Sequence, residues 1–347
     1  MVAHPNPANM IVEGTILRGR SFEPIEGRVV IEDGMISAIE EDTVDSTSVV
    51  LPAFVNAHTH IGDSIVKDAG EGLTLEELVA PPDGLKHRLH RVATRERLVR
   101  AMRRTMGLME ATGTGTFIDF REGGVEGVEA IYEAGSGHEI TPIVLGRDDI
   151  EVLEIADGFG ASGAADGEFG RARTATREAG KLFGIHAGEV SSADINPALD
   201  LDPDFLVHLV TAEPVHLERI DDSEIPVVVC PRSNAETGVG LPPIEALLGH
   251  TTVALGTDNV MLSSPSMFRE MAFVDLITDL AAATILGMAT WAGADVAGLD
   301  CGVIAEGKRG RLLVLDGASD NLVESQDIVR SIVRRAGPQD VDEVLYC

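Results

Sequence analysis

The sequence predicts an α/β fold, a (β/α)8 barrel with a small β-sandwich-like domain built from both chain ends. Three observations predict it. From Leu51 onward, short apolar runs alternate with stretches of helical period, the texture of repeated βα units. Eight such units fit between residues 53 and 298, about 246 residues, where a barrel of this type takes ~250. Outside that span the chain reads as short strands and turns, so residues 1–52 and 299–347 are expected to pair into one small β-domain beside the barrel at 53–298.

Residues 8–52 carry apolar runs such as Ile11-Val12 and Val29-Val30-Ile31, punctuated by Gly14, Gly27 and Gly34, with no helical period. Barrel strands are expected near Phe54–Val55, Thr116–Phe120 and Pro142–Gly146, then within 152–165, and at Phe183–His186, Phe205–Leu209, Val227–Cys230 and Val253–Gly256. Between them, Arg95–Ala111 places Leu98, Met102, Met106 and Met109 at helical spacing, a core face rather than a cofactor site. Further helices are expected over 171–180 and 267–288. After Cys301, Arg311–Leu315 and Ile328–Val333 read as strands.

Composition narrows the function. The 347 residues carry 27 Lys+Arg against 57 Asp+Glu, a formal charge of −30, with 44% apolar residues. That apolar content belongs to a folded protein, not a disordered acidic tail. Only Lys67, Lys86, Lys181 and Lys308 are lysine, and the dispersed acidic surface lacks the basic footprint that nucleic-acid binding needs. Self-repulsion of this size favours a salt-screened setting, so a high-salt cytoplasm is expected, and folding equally well without salt would refute it. No run approaches the ~20 apolar residues of a membrane span. The start, MVAHPNPANMIVEG, lacks the basic-then-apolar pattern of a leader. Cys230, Cys301 and Cys347 are odd in number and show no CxxC spacing, so the thiols are expected to be reduced, in a cytoplasmic protein. Cys230, inside an apolar run, reads as a buried inert thiol rather than a nucleophile.

The chemistry sits in short motifs at strand ends. In Asn56-Ala57-His58-Thr59-His60, residues two apart on a strand point the same way, so two imidazoles can meet at one point. An isolated His-x-His is more often a pair of core or surface histidines. Gly184-Ile185-His186-Ala187-Gly188-Glu189, Val207-His208-Leu209 and Gly256-Thr257-Asp258 repeat the pattern of a histidine or carboxylate just after an apolar strand. A barrel collects its catalytic groups at that face. His4, His138, His216 and His250 read as ordinary loop or helix residues. His87 and His90 fall in a long loop that could reach a substrate.

Taken together, NAHTH, HAGE, VHLV, CPRSN and GTD, in this order, resemble the amidohydrolase superfamily over essentially the whole chain, and its metal-dependent deaminase branch in particular. HAGE is similar to the adenosine deaminase motif, whereas NAHTH and the flanking β-domain look more like cytosine and S-adenosylhomocysteine deaminases. The resemblance implies His58, His60, His186 and Asp258 as ligands of one divalent metal, zinc first and iron(II) second. It implies Glu189 as proton shuttle, with His208 and Asp258 holding and orienting the metal-bound hydroxide that attacks the ring. Binuclear members carry a carboxylated lysine after strand four. No lysine lies between Lys86 and Lys181, so a mononuclear centre is expected.

Arg121, Arg147 and Arg232, with Ser233 and Asn234, are expected near the barrel mouth, where an arginine fork could grip a carboxylate, phosphate or carbonyl edge. A surface ion pair is the equal alternative for each arginine. Asp63, Ser64 and Lys67 are weaker candidates, and Phe120 or Phe159 would supply ring stacking. The expected reaction is deamination of an amino-substituted heterocycle such as a nucleobase, nucleoside or pterin. Hydrolysis of a cyclic amide, amidine or halide at the same metal is the alternative within the superfamily, and a non-catalytic relative is the remote one. The expected partner is a small-molecule substrate. A homodimer is compatible with the chain, although no exposed apolar stripe marks an interface.

Overall fold

The computed structural model describes residues 9–79 and 83–346, so His4 and Cys347 lie outside the described residues. Two sheets organise it. The first strands are β1 (Asn9–Arg18), β2 (Glu23–Glu32), β3 (Met35–Glu41) and β4 (Val49–Pro52). Parallel strands follow: β5 (Phe54–His60), β6 (Thr114–Arg121), β7 (Thr141–Gly146), β8 (Gly158–Gly163), β9 (Leu182–Ala187), β10 (Phe205–His208), β11 (Val227–Val229), β12 (Val253–Leu255) and β13 (Asp258–Asn259). The chain ends with β14 (Arg311–Leu315) and β15 (Val341–Tyr346).

The parallel sheet runs β12-β11-β10-β9-β8-β7-β6-β5-β13. Its two edges, β12 and β13, are separated in the chain only by Gly256 and Thr257, and β13 pairs with β5 through Asp258 opposite Thr59. The sheet therefore curls until its last strand meets its first, as in a TIM-like barrel. The weakly marked fourth strand is β8, inside the 152–165 window. Ile118, Phe120, Phe205, Val207, Val228 and Cys230 pack together in one buried cluster beneath the strand ends.

The chain ends form one continuous six-stranded sheet, ordered β15-β14-β4-β1-β2-β3, rather than two facing sheets. Ile328–Val333 is not one of its strands. Ile328–Arg335 is a helix, because Ile328, Val329, Ile332 and Val333 recur at helical spacing and the Asp327 side chain accepts from Arg330 N at 3.0 Å as an N-cap. The helix expected over 267–288 is two, Met267–Ile277 and Ala282–Met288. Thr278 ends the first by adopting an extended backbone while its Oγ1 donates to Val274 O at 2.8 Å. His87 and His90 stand on a helix, Leu85–Val92, instead of a loop. No helix among the described residues is long and apolar enough to cross a membrane.

Candidate active site

Strand β5 places Asn56, His58 and His60 on one side of the chain. Asn56 Oδ1 accepts from Thr257 N at 3.0 Å and its Nδ2 donates to Thr257 Oγ1 at 2.7 Å, which fixes the β12–β13 link against β5. His186 Nδ1 lies 2.8 Å from Ala161 O. A carbonyl only accepts, so that nitrogen carries the hydrogen and Nε2 is bare. His60 is set the same way, with Nδ1 3.1 Å from Phe120 O and 2.8 Å from Glu122 Oε1. His58 Nδ1 is buried without a partner, and its ring is held by packing, edge-on to Phe120 with centroids 4.7 Å apart.

The Nε2 nitrogens of the three rings converge. His58 Nε2 is 3.2 Å from His186 Nε2 and 3.3 Å from Asp258 Oδ1, and His60 Nε2 is 3.6 Å from the same oxygen. The bare Nε2 of His60 and the Asp258 oxygen it faces repel unless a cation lies between them, and three imidazoles with a carboxylate match the donor chemistry of a divalent metal. Burial lowers the His58 imidazole to about 3, against the hydrogen bond it can donate to Asp258, and burial followed by the neighbouring imidazoles holds His186 well below its ordinary value. Both rings are thus neutral, the ligating form. Asp258, despite burial, is held well below the carboxylate range by the His58 hydrogen bond and the surrounding imidazoles. His208 (φ 80°) and Asp258 (φ 57°) both take left-handed backbone at their strand ends, strain of the kind that concentrates at functional positions.

Beside this cluster, Glu189 Oε2 stands 3.7 Å from His208 Nε2. Asn234 Nδ2 lies 3.2 Å from His208 Nδ1 and 3.5 Å from Glu189 Oε1, so one amide orients both groups. Because that amide donates, His208 Nδ1 accepts and its Nε2–H points toward Glu189. Ser233 Oγ donates to Asp258 Oδ2 at 2.5 Å. Ser233 and Asn234, expected near a substrate, therefore touch the catalytic candidates themselves. Burial raises the Glu189 carboxyl above its ordinary value, against the pull of His208.

The arginines separate. Arg121 is fully buried: its Nη1 lies 3.3 Å from Asp119 Oδ1 and its Nη2 2.5 Å from Glu122 Oε2, so it does not reach the mouth. Arg232 turns to Glu270, donating from N at 3.0 Å and Nη1 at 3.3 Å, and also lies off the cavity wall. Arg147 lines the cavity while donating to Glu122 Oε1 at 3.2 Å. Two residues that the motifs did not flag complete this side. Lys86 Nζ is 2.6 Å from Glu122 Oε1 and 3.0 Å from Asp63 Oδ2, and all three side chains are buried. Lys67 is exposed, Ser64 is buried, and neither lines the cavity.

The cluster opens into a cavity of about 520 Å³, within the range that holds a drug-sized or nucleoside-sized ligand. His60, His186, His208, Glu189 and Asp258 lie on its floor, and Val79, Val190 and Leu262 are among its apolar walls. His87 lines it too, whereas His90 Nε2 bonds Asp63 Oδ1 at 2.7 Å. Phe120 and Phe159 do not line it. Cys230 is fully buried, and burial pushes its thiol well up, out of nucleophilic range.

A parallel barrel whose strand ends gather imidazoles and carboxylates on a cavity floor defines a barrel enzyme, here a hydrolase of carbon–nitrogen bonds. The chain belongs to the amidohydrolase family, whose sequence profile matches residues 49–201 and 171–345. It is 36% identical to a protein named as an aminohydrolase from Methanothermobacter thermautotrophicus, over 94% of this chain and 98% of that one. It is 28% identical to a 5-methylthioadenosine/S-adenosylhomocysteine deaminase from Halobacterium salinarum, over 87% of this chain and 81% of that one. Among solved structures, an adenosine deaminase from Xanthomonas campestris with bound zinc superposes with a TM-score of 0.85 at 18% identity, covering 99% of this chain and 92% of that chain.

Proposed function

We propose that this enzyme removes the exocyclic amino group of a nitrogen heterocycle, adding water at the ring carbon and releasing ammonia. The observation that carries the reading is the placement of Glu189. Its carboxyl faces the cavity beside His208 and Asp258, where a water proton can be taken and returned. A divalent cation held by His58, His60, His186 and Asp258, zinc in this reading and iron(II) as the other choice, supplies a water acidic enough to react near neutral pH.

The chain's own groups do the rest. Glu189 takes the proton of the attacking water and delivers it to the departing amine. His208, its Nε2–H directed inward by Asn234, holds the negative charge that develops on the attacking oxygen. Ser233 fixes the second oxygen of Asp258 so that the first stays on the donor cluster. Arg147, on the cavity wall, is the remaining candidate for a polar or anionic edge of the substrate. The name of the Halobacterium salinarum relative puts 5-methylthioadenosine and S-adenosylhomocysteine first among candidate rings.

The test is ammonia release by zinc-loaded and iron-loaded protein across amino-purines, amino-pyrimidines, their nucleosides and pterins, with Glu189→Gln as the control. The charge of −30 recommends assays both in molar KCl and without it. Release that depends on Glu189 supports deamination and identifies the ring. Ring opening or halide release without ammonia would overturn it.

A further inference from the structure

On the Nδ1 side of His60, where Lys86 and Arg147 also line the cavity, lies a second set of metal-ligating atoms. Asp63, His90 and Glu122 each offer one ligand atom, all within 4.8 Å of one another. The space among them is taken by the chain itself, since Lys86 Nζ stands 3.0 Å from Asp63 and 2.6 Å from Glu122. We propose that Lys86 is a built-in cation that takes the place of a second metal ion and, through Glu122, keeps His60 in the orientation a metal ligand needs. The inference rests on the reading of His60 as a ligand of the divalent cation.

Three features carry it. Lys86 and His90 are four residues apart on the helix Leu85–Val92, so both side chains descend on the same carboxylate, Asp63. The charges then match one for one. Asp63, Asp119 and Glu122 face Lys86, Arg121 and Arg147, all of them buried or nearly so. Finally, the same oxygen, Glu122 Oε1, receives Lys86 at 2.6 Å, His60 Nδ1 at 2.8 Å and Arg147 at 3.2 Å. Without the ammonium, that oxygen swings toward Arg147 and lets go of His60. A carboxylate on the far nitrogen of a ligating histidine fixes its tautomer and raises its basicity. Lys86 is thus a positioning residue that acts on the metal through two intermediates.

The measurement is zinc affinity of the full-length protein by competition with a chromophoric chelator. Lys86→Met, which fills the space without charge, is expected to weaken zinc binding by about 10–100-fold, the range for lost outer partners of a metal histidine. Lys86→Ala is purified in methylammonium, so that the vacated space is filled during folding. Zinc held in the amine and lost when it is dialysed away supports the proposal, because a purely packing role would not answer to a small cation. Zinc held equally with and without the amine overturns it, as does wild-type affinity in Lys86→Met. His60→Ala in the same assay separates the two readings. If it loses zinc while both Lys86 variants keep it, only the role of Lys86 falls. If it keeps zinc, the assignment of His60 falls.

Discussion

On the Nε2 side of His60 the protein has arranged groups that need one another only when something is bound. Imidazole nitrogens and a carboxylate oxygen stand 3.2–3.6 Å apart around a point open to the cavity. On the Nδ1 side, every charge already has its partner, with Asp63, Asp119 and Glu122 set against Lys86, Arg121 and Arg147. The first side is poised and the second is saturated. The difference teaches which substitutions should disturb reaction and which should disturb folding, because an unsatisfied site loses little stability when a member is removed, whereas a saturated one strands a buried charge.

The sharpest separation comes from Glu189→Gln. Turnover should fall by about 10²–10⁴-fold, the usual worth of a positioned general acid–base, with zinc content and urea midpoint unchanged. A variant that also lost its metal would place Glu189 in the saturated group. Arg121→Met should do the reverse. It leaves Asp119 and Glu122 without their guanidinium in a fully buried place, an expected cost of about 3–5 kcal/mol in urea unfolding. Equal stability would mean that Lys86 and Arg147 suffice to balance the cluster.

How legible each side was follows from the same contrast. His58, His60, His186, His208, Glu189 and Asp258 stand out in the sequence as candidates because each follows an apolar run, and in a barrel those ends coincide in space. Lys86 and Glu122 carry no such mark. Glu122 follows Arg121 directly, and in a chain with 57 acidic residues one more glutamate beside an arginine reads as surface. Only the closing of β5 on β6, and the docking of the helix Leu85–Val92, bring their atoms together. Arg121, expected at the mouth or in a surface ion pair, is in neither place, since position after a strand does not say whether a side chain turns to the mouth or into the wall. The left-handed backbone of His208 and Asp258 was equally hidden, as neither is glycine. Ile328–Val333 misled through its β-branched residues, whose spacing, rather than their type, decided for a helix.

A smaller effect tests whether burial alone can set the charge of a carboxyl beside the site. Glu270 is fully buried against Arg232, and burial pushes its carboxyl from 4.5 up to about 7 in spite of that guanidinium. The native state therefore holds a proton that the unfolded chain releases near 4.5, so stability should fall as pH rises from there to about 7. The full window is worth on the order of 3 kcal/mol. Glu270→Gln should flatten urea midpoints between pH 5 and pH 7.5, and an unchanged slope would show that Arg232 keeps the group ionised.

The smallest change in the chain tests the poised side through a residue with no chemistry of its own. Gly256 joins β12 to β13, and its nitrogen donates to Val229 O at 3.0 Å while the next residue, Thr257, donates to His58 O at 3.1 Å. A Cβ at Gly256 would stand 2.7 Å from His58 Cβ and 2.8 Å from His58 N, closer than any carbon can sit. Gly256→Ala must therefore push β5 away from the strand that carries Asp258. Overpacking of this kind costs about 1–3 kcal/mol, a fall in melting temperature of a few degrees. Zinc affinity should drop by more than that cost implies, because His58 and Asp258 meet across the same contact and a shift of either opens the donor set. If Gly256→Ala melts lower yet holds zinc like the wild type, the four donors are adjustable, and the poise of this side comes from side-chain freedom rather than from the closeness of the two strands.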